Sequence, residues 1–131
     1  MTIEGLVTRR SRHPPDETRM RLEAAIREKG LTLFVRIDHA AGAKAAGLAL
    51  RPTDLLIFGN AKGGTPLMQA AQTTGIDLPL KILIWQDEQG VTWLSYNDPG
   101  WLARRHGLVP DAPSPVNAMT SLLDDMATAA I

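Results

Sequence analysis

Three side chains have types and neighbours suited to proton chemistry. Asp38-His39 sets a carboxylate beside an imidazole, a pairing that can move a proton or hold a metal. Lys62 lies in Phe58-Gly59-Asn60-Ala61-Lys62-Gly63-Gly64-Thr65-Pro66, an apolar run that leaves a strand through glycines towards a helix. Such a turn exposes backbone N–H groups, and a lysine beside them suits a phosphate or carboxylate. No Gly-Lys-Ser/Thr ends it, so it is not a Walker loop. The same residues also read without a ligand. Thr65 then caps a helix beginning at Pro66, and Asp38 caps another while His39 points away.

Other chemistry is excluded more firmly. The chain has no cysteine, so it has no thiol nucleophile, disulfide or thiolate zinc site. His13, His39 and His106 show no metal-ligand spacing, and neither a metal nor a cofactor is expected. His106 follows Arg104-Arg105 at an expected helix end, where cations suit the helix dipole. No Gly-x-Ser-x-Gly elbow is present. Trp85, Trp93 and Tyr96 fall on an expected hairpin, where the tryptophans can stack across strands.

The elements that must position these residues follow from periodicity. Residues 5–11 read as a strand stopped by Pro14-Pro15. Asp16 and Glu17 open a helix carrying Leu22, Ala25 and Ile26, and Gly30 ends it. Leu33, Val35 and Ile37 alternate with polar or outward residues, predicting a second strand with one buried face. Residues 40–46 form a short helix ending at Gly47. Residues 55–58 are a third strand covered on both faces, and residues 66–72 a short helix. Residues 80–86 and 91–96 are strands joined by a loop ending in Gly90, and Asp98-Pro99 opens a helix that Gly107 closes. A proline-rich connector at residues 111–115 precedes a last helix with an apolar stripe of Val116, Met119, Leu123, Met126 and Ala130. The expected fold is α+β, a two-layer sandwich in β-α-β(4)-α order with short inserted helices. Its sheet is mixed or antiparallel, with the first and last helices on one face.

The 131 residues, with a hydrophobic content of 44%, suit a single domain spanning 1–131. Fourteen basic and 14 acidic side chains cancel, which argues against generic binding to nucleic acid or a membrane surface. Residues 1–65 carry 11 basic and 7 acidic groups, and residues 66–131 carry 3 and 7, so the neutral total hides two oppositely charged halves. No apolar run approaches the ~20 residues of a membrane span, and no secretory leader is evident, so a cytoplasmic location is expected.

Taken in order, several short segments resemble a known family. They are Ile37-Asp38-His39-Ala40, Leu50-Arg51-Pro52-Thr53, Phe58-Gly59-Asn60, Gly64-Thr65-Pro66-Leu67-Met68, Leu78-Pro79-Leu80-Lys81, Trp85, and Ser95-Tyr96-Asn97-Asp98-Pro99. Together they resemble the domain of unknown function family 302 over most of the chain. Ala61 departs from the pattern, standing where that family usually has proline after Phe-Gly-Asn. The resemblance implies a β-α-β(4)-α domain, often a dimer, from bacteria and archaea, with no established activity. It marks Asp38, His39, Arg51, Asn60, Lys62, Thr65, Lys81, Asn97 and Asp98 as site residues, to which the turn adds Gly63 and Gly64.

Three functions fit. The first is a module binding a small polar or anionic ligand at the glycine-rich loop, through Lys62 and backbone N–H groups. The second is a structural or protein-interaction module acting as a homodimer. The third is an enzyme with His39 as acid/base, Asp38 orienting it and Lys62 stabilising charge; it requires the three to meet in one cleft. The expected partners are a small molecule and a second copy of the chain, not nucleic acid or a membrane.

Overall fold

A computed structural model describes residues 2–108 and 114–131. Five strands, β1 (Leu6–Ser11), β2 (Thr32–Asp38), β3 (Thr53–Gly59), β4 (Leu80–Gln86) and β5 (Thr92–Asn97), form one sheet in the order β1-β5-β4-β3-β2. Every ladder is antiparallel. The helices are α1 (Pro15–Glu28), α2 (His39–Ala45), α3 (Ala61–Ala70), α4 (Pro99–Arg105) and α5 (Ser114–Ala130), with a 3-10 turn at Gln72–Ile76. β1 and β2 are the two sheet edges, so α1 crosses the whole sheet between them. The proline-rich connector expected at residues 111–115 lies, up to residue 113, outside the described residues.

The layer arrangement follows from two periodicities. Leu56 and Phe58 of β3, Leu80, Ile82 and Ile84 of β4, and Leu94 and Tyr96 of β5 alternate onto one face of the sheet. Leu22, Ala25 and Ile26 of α1 meet them there with Met119, Leu123, Met126, Ala127 and Ala130 of α5. The first and last helices thus share one face, as the apolar stripes predict. Asp38 caps α2 by accepting the Ala41 N–H at 2.9 Å, and Asp98 caps α4 by accepting that of Gly100 at 3.2 Å. Gly30, Gly47 and Gly107 take the positive φ that ends α1, α2 and α4. The charged halves interleave: Arg9 donates to Asp124 and Lys29 to Asp125, both on α5.

Three expectations are corrected. β2 has no buried face, because it lies at the sheet edge and a bulge between Leu33 and Val35 breaks its alternation. Phe34 stands 53% exposed as a result. β3 is central, but its second face is only half-buried at Leu55 and Ile57. α3 begins at Ala61 rather than Pro66, and Asn60, not Thr65, is its cap. Asparagine leads threonine as an N-cap, and Asn60 Oδ1 accepts the Gly63 N–H at 2.8 Å. Pro66 therefore sits inside the helix.

Candidate functional site

The β2–β3 register divides the residues marked from the sequence. Thr32 pairs with Gly59 at one end of the ladder and Asp38 with Asp54 at the other. At about 3.3 Å per residue, the two ends lie roughly 20 Å apart. Asp38, His39 and Arg51 belong to the Asp54 end. Asn60, Lys62, Gly63, Gly64 and Thr65 follow β3 at the Gly59 end. Lys81 and Asn97 join them there, because Lys81 pairs with Ile57 while Asn97 and Asp98 close β5.

The acid–base trio Asp38, His39 and Lys62 consequently shares no cleft. Asp38 is engaged as a cap and by Arg36 at 3.4 Å, while His39 and Lys62 are both exposed. Arg51 donates to the Gln86 carbonyl at 3.2 Å. Next to this end, Arg36 Nε donates to the buried Asp54 at 2.8 Å. That hydrogen bond, reinforced by the Asp54 charge, holds the Arg36 guanidinium above its ordinary value against the effect of burial.

At the Gly59 end lies a cavity of about 250 Å³. Its floor is Leu80 and Met119, and its walls are Leu31, Phe34, Leu78, Pro79, Met68 and Leu122. The start of α3 supplies Asn60, Ala61, Gly63 and Gly64. Among the described residues, Asn60 is the only lining residue with a polar side chain, so the site suits an apolar body more than a free charge. The N–H of Gly63 is turned onto Asn60 Oδ1, and that of Gly64 onto the Asn60 carbonyl at 3.4 Å. These two donors are therefore not presented to an anion as a loop would present them. Lys62 and Thr65 are exposed beside the cavity and do not line it.

Lys81 faces the other side of the sheet, where its ammonium donates to the carbonyls of Asp77 at 3.0 Å and Pro79 at 2.9 Å. Partial burial lowers this amine below the usual lysine range, with the Asp77 charge acting in the opposite sense. Trp85 and Trp93 stack on that side with centroids 6.1 Å apart, as their facing register requires. The Trp85 indole N–H donates to Ser95 Oγ at 2.9 Å, and Ser95 Oγ meets Thr8 Oγ1 at 2.9 Å.

Sequence reading missed Leu31, Phe34, Leu78, Met119 and Leu122 as site residues, because apolar side chains are ordinarily assigned to the core. A signal did exist. Phe34 is apolar at a position that the alternation of β2 sends outward.

A five-stranded antiparallel sheet, two helices across one face and a cavity at the sheet end define a two-layer α+β domain of β-α-β(4)-α type. Residues 7–126 match the model of the family described as Domain of unknown function DUF302, and the chain belongs to that family. The fold is also that of the uncharacterized conserved protein DUF302 from Bacillus stearothermophilus, with a TM-score of 0.86 at 18% identity over 98% of this chain and 100% of that one. Two curated relatives are each 50% identical over 117 residues, or 89% of this chain. They are Fluoride-specific ion channel FluC 1 of Brucella suis biovar 1 (strain 1330), covered over 46% of its length, and Fluoride-specific ion channel FluC 2 of Brucella melitensis biotype 1, covered over 43%. The chain thus spans less than half the length of the curated relatives it matches. No described helix of this chain is long and apolar enough to cross a membrane.

Proposed function

We propose that the domain is a binding module for a small molecule with an apolar body, seated in the cavity at the start of α3 with its polar end at Asn60. The observation that supports this is the apolar lining with Asn60 at its rim. Lys62, exposed nearby, then acts only on whatever charge the ligand leaves outside. The test is a panel of short-chain fatty acids and small aromatic acids and amides, read by methyl shifts of Met68 and Met119. Gly64→Leu, which projects a side chain from the lining, should abolish the shifts, while Lys62→Ala should weaken binding of the acids alone. Binding that Gly64→Leu leaves intact and Lys62→Ala removes would return the site to the exposed helix surface and an anionic ligand.

The module acts in the cytoplasm as a homodimer, through the sheet face opposite α1 and α5. Leu55, Ile57, Leu83, Trp85 and Trp93 are only half-buried there, and Val35 and Ile37 extend the apolar surface to the β2 edge. Sedimentation should give twice the chain mass for the wild type and a monomer for Leu83→Lys.

A second reading is favoured by the Brucella relatives. In them a segment half-identical to this chain shares a polypeptide with the remainder of a protein named as a fluoride channel. On this reading the domain is an accessory to such a channel rather than its pore. A deletion strain should then grow less well in fluoride, and unchanged fluoride tolerance would remove the reading.

A further inference from the structure

A second cluster of reactive groups lies outside the cavity, where the 3-10 turn meets the end of α4. Asp77 follows the turn, and its two carboxylate oxygens take Arg105 Nη1 at 2.9 and 3.1 Å. Asp77 Oδ2 also meets His106 Nε2 at 2.5 Å. On the other side of the ring, His106 Nδ1 meets Thr73 Oγ1 at 2.8 Å. A carboxylate already paired with arginine is acceptor-only, so His106 Nε2 carries its proton towards Asp77. In the neutral ring Nδ1 is then the bare nitrogen, and the Thr73 hydroxyl donates to it. The His106 side chain is 7% exposed and that of Asp77 13%, whereas Thr73 lies on the surface. A shielded base of fixed tautomer therefore addresses an accessible hydroxyl, the arrangement that activates alcohol nucleophiles.

We propose that Thr73, His106 and Asp77 form a hydroxyl-activating site that transfers small acyl groups from activated esters to water. Thr73 Oγ1 adds to the ester carbonyl carbon as its proton passes to His106 Nδ1. The adduct collapses, the ester C–O bond breaks, and the leaving alcohol takes that proton. Water then attacks the threonyl ester with His106 again as base, releasing the acid and restoring the Thr73 hydroxyl. Asp77 is a positioning residue, fixing the ring's tautomer and orientation. The recess beside Asp77 and His106 measures only about 20 Å³ and is not lined by Thr73, so the acyl group sits on the open surface around Thr73.

The test is labelling with a fluorophosphonate, in which Thr73 Oγ1 would form the P–O bond, fluoride would leave and His106 would take the proton. Peptide mapping of the whole folded chain should find the adduct on Thr73 in the wild type and on the serine in Thr73→Ser, and none in Thr73→Val. His106→Gln should slow labelling by about a hundredfold or more. Hydrolysis of p-nitrophenyl acetate should fall with it. Asp77→Asn should slow labelling of Thr73 while leaving the melting temperature close to that of the wild type, whereas a purely structural tie between turn and helix would lower stability and leave labelling of the folded chain unchanged. No adduct on wild-type Thr73, or hydrolysis unchanged in Thr73→Val, would overturn the proposal. Because Thr73 is exposed, these two results hold whether or not the His106 variant folds.

Discussion

Replacing Asn60 by alanine should loosen α3 while leaving the sheet untouched. The ten residues of α3 include Gly63, Gly64 and Pro66, and none of its side chains is fully buried. Each glycine costs a helix about 1 kcal/mol relative to alanine, and an interior proline about 3 kcal/mol. A helix of this length is marginal alone, so its packing through Leu67 and its cap must hold it. The cap is one hydrogen bond of 2.8 Å from the Gly63 N–H to Asn60 Oδ1. Losing it should cost about 1 kcal/mol, or roughly a fivefold rise in local opening. Native-state hydrogen exchange reads this directly. Amides of residues 63–65 and 67–70 should exchange about fivefold faster in Asn60→Ala, while those of β3 and β4 keep their rates. Thr65→Ala is the discriminating control, because Thr65 lies inside the helix and alanine is the better helix former. It should leave exchange unchanged or slower. If Thr65→Ala opened the segment and Asn60→Ala did not, the helix would begin at Pro66 and the account of the cavity rim would fail. Gly64→Ala should slow exchange, since its new Cβ meets Leu78 Cδ1 at an ordinary 3.5 Å.

Other perturbations probe the frame around the site. Arg36→Met strips the buried Asp54 of its guanidinium partner and should cost about 2 kcal/mol in urea unfolding, the half-exposed arginine keeping the loss below that of a fully buried pair; no measurable loss would mean that water reaches Asp54. Phe58→Ala empties a fully buried site in the core and should cost about 3–5 kcal/mol by the same assay, with a smaller loss showing that the core collapses onto it. The Asp87 carboxyl is held below its ordinary value, first by the Trp93 indole N–H and then by the Val91 and Gln89 amides. Its contribution is therefore present above the unfolded carboxyl value near 3.9 and is lost as pH falls through the lower folded value. Trp93 fluorescence should report loosening of the hairpin on acidification in the wild type and a flatter response in Asp87→Asn.

How much of this was legible depended on whether a signal was local. The caps at Asp38 and Asp98 and the closing glycines at 30, 47 and 107 were readable because capping involves only a few neighbouring residues. The buried stripe of α5 was readable because its period is unbroken. β2 was misread because alternation cannot reveal that a strand lies at an edge; that is decided by β1 reaching β5 across the whole sheet. The site divided for the same reason. Asp38 and Asn60 are separated by one ladder, and which residues gather at which end is set by a register no short motif contains. The Thr73, His106 and Asp77 contacts join positions up to 33 apart through a turn that had no periodic signature.

The glycines around Asn60 acquire a different physical meaning beside the cavity. In an anion loop they would free N–H groups for a ligand, but here Asn60 takes the N–H of both Gly63 and Gly64. Their missing side chains leave space instead. A Cβ on Gly64 would stand against Leu78, and one on Gly59, at φ 154°, would face Pro79 and Phe34, all three of them cavity walls. An alanine at Gly64 would also favour helix, so glycine there costs the fold stability and returns open apolar volume. Filling such a space is a common route to added stability. The same segment thus argues for an apolar occupant by the volume it leaves open, and this is why Gly64→Leu should stabilise the empty domain while removing its ligand.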